Sequence, residues 1–302
     1  MNLFKSLFLS LCFAYSGNTT DLTVNLPIKN LYFVGRNAEL AQIQRSLKDN
    51  ERHLLWGSGG IGKTQIAKAY AWSNTDYYDF IWWINASQSM EPQLITFARE
   101  WNTHPWKTID LSKDSKILLQ NITQILSVTD KKGLIVFDDL YHSDHSVELL
   151  QAIYDQANHP VIITTRNGNM NNQRGKQERV QEFSRQESIK LLKKLSPEKY
   201  RDENDLNLLA ETLKDYPLSL AQAIGYIEKI GLMNVDKYIQ LYRQKCLKLS
   251  QANYKVNLTL GKDFTDGYYL TTELTTLLAI EDLQKESPEA VALLQLGLLH
   301  KS

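Results

Sequence analysis

The sequence predicts an α/β fold in which a parallel sheet flanked by helices is followed by an all-helical unit. Two observations carry this. From Leu31 to about Phe183, short apolar β-prone runs alternate with longer amphipathic stretches, and after Phe183 only helical periodicity continues. The runs are His53–Trp56, Phe80–Ile84, Leu134–Phe137 and Val161–Thr164. Runs this short and this continuously apolar suit strands buried on both faces. Helical patterns lie between them, as at Gln65–Trp72 and Ser146–Ala157. Strand–helix alternation of this kind implies βαβ units and a parallel sheet.

In the second unit, Ser184-Arg185-Gln186-Glu187 has the form of a capping box, in which side chain and backbone at a helix start satisfy each other. Ile189, Leu191, Leu192 and Leu195 then fall on one helical face, and Pro197 follows. The period continues through Leu206–Leu213, Leu218–Ile230 and Val235–Leu247. A polar stretch, Ser250–Asp266, precedes two more helical segments, Thr271–Leu283 and Pro288–Leu299. The sequence contains neither an internal repeat nor a low-complexity tract.

Composition narrows the function classes. The 302 residues leave room for one large or two modest domains, and 43% hydrophobic with 23% charged residues is globular. A disordered tail, a collagen-like repeat and a multi-span membrane protein are thereby excluded. Lys+Arg and Asp+Glu both number 34, so there is no net electrostatic footprint and no nucleic-acid partner is expected. Cys12 and Cys246 lie far apart with no CxxC, so neither a disulfide framework nor a zinc site follows, and Cys246 is expected as a small buried hydrophobe. Met1–Ser16 has one Lys, an apolar run from Leu7 to Tyr15, and small residues before Gly17. That outlines a secretory signal peptide; an amphipathic helix or the stub of an upstream segment fits equally. The run is shorter than the ~20 residues a membrane span needs.

The chemistry centres on Gly57-Ser58-Gly59-Gly60-Ile61-Gly62-Lys63-Thr64, which matches the P-loop pattern between a predicted strand and a predicted helix. Such a turn aims backbone N–H groups at phosphate oxygens, and the helix that follows adds the positive end of its dipole. Lys63 neutralises the β- and γ-phosphates and Thr64 offers its hydroxyl to Mg²⁺. The run Leu134–Phe137 ends in Asp138-Asp139, a strand expected to lie beside the first. Asp138 would then hold Mg²⁺ and Asp139 would orient or deprotonate the attacking water. Two adjacent carboxylates repel, and a nearby cation offsets that repulsion. A further strand ends in Thr164-Thr165-Arg166, whose guanidinium could reach the γ-phosphate. The fold class is thus a P-loop NTPase sheet followed by a helical subdomain.

Together these residues resemble the NB-ARC family, within the wider STAND class of signalling ATPases. Phe33-Val34-Gly35-Arg36 is similar to that family's opening element, and Gly59 through Thr64 reproduce its P-loop spelling. The Asp138-Asp139 and Thr164-Thr165-Arg166 strands follow in the family's order. Tyr216-Pro217-Leu218-Ser219-Leu220 resembles a later element, with Asp215 in place of Gly and Ser219 in place of Ala. The resemblance covers about residues 31–250, with a fainter match to 299.

The resemblance implies an adenine-nucleotide switch that binds ATP or ADP with Mg²⁺ and hydrolyses slowly. Val34 and Arg36 would lie against the adenine, Pro217 would close the pocket from the helical side, and Arg166 would sense the terminal phosphate. The expected nucleotide contacts are therefore Val34, Arg36, Gly57 to Thr64, Gln65, Arg166 and Pro217. Asp139, Lys63 and Arg166 are the expected catalytic groups, and Thr64 and Asp138 the metal ligands. The alternatives are a continuously cycling AAA-like ATPase and a non-catalytic ADP-binding remnant. Domains are expected at 1–27 (hydrophobic N-terminal segment), 28–184 (nucleotide-binding), 185–250 (helical) and 251–302 (linker and partial winged-helix start). Family members continue into a complete winged helix carrying a His motif; His300 does not fit that motif, and a truncated or minimal member is expected. Protein partners or self-association through the helical module, and a cytoplasmic location unless residues 1–16 are cleaved for export, complete the expectation.

Overall fold

The computed structural model describes residues 22–48, 52–140, 151–153, 159–168, 175–196, 202–230, 234–251 and 268–287. The signal-like stretch, most of the expected Ser146–Ala157 helix, Pro197, the Ser250–Asp266 stretch and the Pro288–Leu299 segment lie outside these residues, apart from their edges.

Six strands form one parallel sheet: β1 (Leu22–Val24), β2 (Arg52–Trp56), β3 (Phe80–Asn85), β4 (Gly133–Leu140), β5 (Val161–Thr165) and β6 (Lys176–Arg179), in the order β1-β3-β4-β5-β2-β6. Helices α1 (Asn37–Leu47), α2 (Lys63–Ser73), α3 (Met90–Trp101) and α4 (Ser115–Val128) cover it. Strand side chains alternate between faces, and here both faces are dry. Phe80, Trp82 and Ile84 pack with Phe97 and Trp101 of α3 and Ile122 of α4. Their neighbours Ile81 and Trp83 pack with Ile43 of α1 and Ile66 of α2. Two covered faces are why the strands read as unbroken apolar runs.

One expectation is corrected. The Asp138 strand does not lie beside the P-loop strand: β5 runs between them, paired to β4 on one side and β2 on the other. Strand–helix alternation sets the number and direction of strands but not their lateral order, and side chains, not strand pairing, close the resulting gap.

The edge strand β6, Lys-Gln-Glu-Arg, is mostly exposed and carries no apolar signal. It is held to β2 by backbone pairing and by Glu178, whose carboxyl lies 2.8 Å from Nε2 of fully buried His53. Burial, reinforced by Lys176, pushes the His53 imidazole down to about 4. Burial, then Glu39, pushes the Glu178 carboxyl up to about 7. The contact is therefore a hydrogen bond between uncharged groups at mildly acidic pH, whatever its ion-pair distance suggests.

The helical unit comprises α5 (Arg185–Leu195), α6 (Glu203–Thr212), α7 (Pro217–Ile230), α8 (Val235–Gln251) and α9 (Tyr268–Glu286). Ser184 caps α5 through the expected box. Leu192, Leu209, Leu220, Ile227 and Tyr238 form a separate core. Leu274 and Leu278 of α9, which the resemblance would make the opening of a winged helix, join this same core. Cys246 packs half-buried at its margin. The two cores exchange residues. Val34, from the segment before α1, is buried in the helical core, while Tyr216, from the turn before α7, is buried in the sheet core.

Candidate functional site

The turn from Gly57 to Gly62 joins β2 to α2. Ile61 is buried and anchors it from below, leaving the backbone of its neighbours to curl. Gly60 (φ +80°) is required twice over. Its backbone is left-handed, and a Cβ there would come within 2.8 Å of the Leu218 side chain. Gly62 precedes α2 in the left-handed region with no side-chain cap, so the first helical N–H groups remain for another acceptor. Lys63 is buried, and its ammonium donates to the carbonyls of Gly57 (2.8 Å) and Ser58 (2.9 Å), which pins it over its own loop. Burial, then Arg166, lowers its pKa to about 8, against Asp139 and Asp138, which raise it. A buried cation with a lowered pKa gains most from an arriving polyanion.

The acidic pair sits on an irregularity. The β4–β5 register shifts between Phe137 and Leu140, and Asp139 adopts φ +56°. In a regular strand adjacent side chains point to opposite faces; a bulge re-aims one of them. Asp138 thereby faces the P-loop: its Oδ1 accepts from Thr64 Oγ1 at 2.7 Å and Thr164 Oγ1 at 2.6 Å. Burial raises its pKa, while those two hydroxyls and Lys63 pull the other way. Asp139 is half exposed, and its N–H donates to Thr164 Oγ1 at 2.9 Å. Thr164 thus clamps the bulge and spans the gap that β5 introduces. Arg166 runs along the loop beside Gly59, with Nε 3.9 Å from Asp139 Oδ1.

A cavity of about 330 Å³ opens next to the loop, a size suited to a small-molecule ligand. Gly60, Ile61, Gly62, Lys63, Thr64 and Gln65 form one wall. Val34 and Arg36 form a second, and Pro217, Leu218 and Ala221 of α7 a third. Phe33 both packs on the sheet core and lines this cavity. The Arg36 guanidinium is buried and engaged: it donates to Glu39 (2.8 Å) and to the Ile61 carbonyl (3.0 Å), with its Cζ 4.5 Å from the centroid of the Phe183 ring. Pro217 opens α7 at the cavity rim, serving both as helix start and as wall. Just before it, Lys214 and Asp215 are left-handed. Asp215 accordingly occupies a position suited to Gly, and its carboxylate takes a two-point contact from Arg185, each bond 2.8 Å. The Tyr216 hydroxyl donates to the Gly59 carbonyl, seating the helical unit directly on the loop.

Of the predicted residues, Val34, Arg36, Gly60 to Gln65 and Pro217 line the cavity, while Asp138, Asp139 and Arg166 lie outside its lining, near the ends of β4 and β5. Gly57, Ser58 and Gly59 contribute carbonyl acceptors rather than cavity lining, to Lys63 and Tyr216. Sequence reasoning missed the roles of Thr164, Tyr216, Asn30 and Phe183. Asn30 lines the cavity and donates to Gln65 Oε1 at 2.9 Å. Only Thr164 left a usable signal, as a hydroxyl ending an otherwise apolar strand. Among the described residues there is no cluster of His, Cys and acidic side chains suited to hold a metal without a ligand's help, and no helix long and apolar enough to cross a membrane.

The donor set fits a polyphosphate with Mg²⁺. A buried ammonium and a hydroxyl line the cavity beside the backbone turn, and a half-buried carboxylate accepts from that hydroxyl. No curated protein sequence matches the chain. Solved structures similar to it include a signal transduction ATPase with numerous domains, carrying a tetratricopeptide repeat sensor, from Pyrococcus horikoshii (19% identity, TM-score 0.49, covering 67% of this chain and 31% of that one). Cdc6p from Pyrobaculum aerophilum is similar at 14% identity and TM-score 0.48, over 74% of this chain and 64% of that one. Domain III of the Thermotoga maritima replication initiation protein DnaA is similar at 16% identity and TM-score 0.44, over 70% and 94%. The chain thus spans under a third of the first of these proteins and just under two thirds of the second. The family model for the NB-ARC domain matches residues 36–201, from the cavity-lining Arg36 through the P-loop, the acidic bulge and the capped first helix of the helical unit. The chain belongs to the NB-ARC domain family.

Proposed function

We propose that the protein is an adenine-nucleotide switch that binds ATP or ADP with Mg²⁺, hydrolyses ATP slowly, and lets the bound nucleotide set the contact between its sheet domain (28–184) and its helical domain (185–250). The observation that carries this reading is the cavity wall: P-loop residues on one side, Pro217 and Leu218 of the helical unit on another. A ligand that touches both units favours one arrangement only through its differential affinity for the two. Phosphate at the Lys63 end and base at the Pro217 end supply that difference.

In this reading Lys63 neutralises the β- and γ-phosphates, while Thr64 and Asp138 hold the Mg²⁺, which supplies charge neutralisation between phosphate oxygens. Asp139, exposed beside Asp138 and next to Arg166, positions the attacking water, and Arg166 meets the charge that develops on the terminal phosphate. Val34, Arg36, Gln65 and Pro217 shape the base end. A protein partner or a second copy would read the state at the helical unit, and dependence on ATP favours a cytoplasmic site of action.

Identification of nucleotide co-purifying with the protein, followed by single-turnover hydrolysis, tests this. Retained ADP with turnover well below the ~1 s⁻¹ lower bound of ordinary enzymes supports the switch. Fast, continuous turnover would replace it with a cycling ATPase, and protein that neither retains nor binds adenine nucleotide would overturn it.

A further inference from the structure

The first helix of the helical unit reaches back 151 residues to the turn that lines the cavity, and the contact is a single carboxylate. Glu187 Oε1 accepts the Arg36 backbone N–H at 2.7 Å, while its Oε2 accepts the Ser184 N–H and the Ser184 hydroxyl, each at 2.9 Å. One side chain therefore completes the cap of α5 and fixes the turn before α1. The turn cannot hold itself. Gly35 and Arg36 are both left-handed (φ +65° and +61°), a conformation strained for a non-glycine residue unless its surroundings hold it. The approach is also close: a Cβ on Gly35 would lie 2.2 Å from Glu187 Oε1. Arg36 then carries the constraint onward, its guanidinium donating to the Ile61 carbonyl in the P-loop and stacking on Phe183 at the entry to α5.

We infer that Glu187 is the positioning residue through which the helical unit assembles the base end of the nucleotide pocket, by holding the Gly35–Arg36 turn against the P-loop. The inference rests on the nucleotide reading above and adds to it how closure is sensed. Movement of α5 away from the sheet withdraws the acceptor from Arg36, the turn relaxes, and the wall formed by Val34 and Arg36 is lost. The phosphate cradle keeps its internal contacts, the Lys63 ammonium to the Gly57 and Ser58 carbonyls, which need nothing from the helical unit. Closure of the helical unit is then felt by the base and sugar and not by the phosphates.

The test compares ADP with inorganic triphosphate by titration calorimetry on the full chain. Glu187→Gln keeps one acceptor but loses the charge and one of the accepted bonds. It is expected to weaken ADP about tenfold, the loss of one charge-assisted hydrogen bond, and to leave triphosphate binding unchanged. Gly35→Ala, which pushes a methyl group into the carboxylate, should give the same base-selective loss by an independent route. Ser184→Ala weakens the cap but keeps the Arg36 contact, so it should lower the melting temperature without changing the ratio of ADP to triphosphate affinity. Equal weakening of both ligands in Glu187→Gln, or an ADP loss in Ser184→Ala as large as in Glu187→Gln, would reduce Glu187 to a helix cap and overturn the inference. Unchanged ADP binding in Glu187→Gln would overturn it alone; wild-type protein that binds neither ligand would overturn the nucleotide reading beneath it.

Discussion

At the phosphate end of the cavity Lys63, Thr64 and Asp138 all hang from one sheet and one helix, whereas at the base end Val34, Arg36, Pro217 and Leu218 come from separate stretches of chain and two different cores. The first end is preorganised within one sheet: a turn, the helix it opens, and a bulge two strands over that Thr164 of β5 bridges. The second exists only while two units stay packed. An arrangement of this kind separates affinity from state. On the proposed reading, the phosphates would be gripped at all times, and the base end would report whether the units are closed.

Removing the buried charge of the permanent end should have the largest effect. Lys63→Ala is expected to weaken ATP and ADP about 100-fold or more by calorimetry, the scale on which a desolvated charge pair is lost. A loss below tenfold would mean that the base end dominates and would reverse the comparison. Asp138→Asn should come next. In the presence of Mg²⁺ it should cost about 30-fold, with binding in chelator nearly unchanged, so the ratio of the two conditions isolates the metal.

Raising pH imitates the lysine change in part. The Lys63 ammonium titrates near 8 in the free protein, from an ordinary 10.5, and phosphate oxygens favour its charged form. Binding above pH 8 therefore takes up a proton, and affinity should fall by up to about tenfold per pH unit. Calorimetry in buffers of different ionisation enthalpy would detect the uptake. Affinity that stays flat from pH 7 to 9.5 would show that Lys63 keeps its proton throughout.

The seam where the loop meets the helical unit, and the base end beyond it, should respond more gently. Gly60→Ala forces a methyl group against Leu218 and strains a left-handed turn; about tenfold loss of ADP affinity is expected. Gly60→Ala/Leu218→Ala should recover part of it, because only the collision is relieved. Absence of any recovery would locate the effect in the loop alone. Pro217→Ala, which trims one wall without moving the loop, should cost only about two- to threefold.

The same division governs what the sequence made legible. The phosphate cradle is a backbone device carried by eight consecutive residues, so its spelling survives in one dimension. Burial on both faces made β2 to β5 plain as apolar runs. The residues expected at the base end came only from the resemblance, because Val34, Gln65 and Pro217 line one cavity but are distant along the chain. Strand order was invisible to alternation, which is why β5 was not expected between β2 and β4. Edge strands β1 and β6 escaped because three residues, or four polar ones, leave no periodicity to detect. Thr164 could have been suspected. Glu187 was read correctly as a cap, but its second partner lies too far away in sequence for any local pattern to reveal.

The exchanged residues carry a consequence for movement. Val34 sits in the core its own unit does not own, and so does Tyr216, each almost fully enclosed. Neither half can drift off as a free body without dragging a side chain out of dry surroundings and leaving a hole behind it. Motion between the halves is therefore expected to pivot about those two plugs, and a protease cut near residue 184 should leave the halves associated.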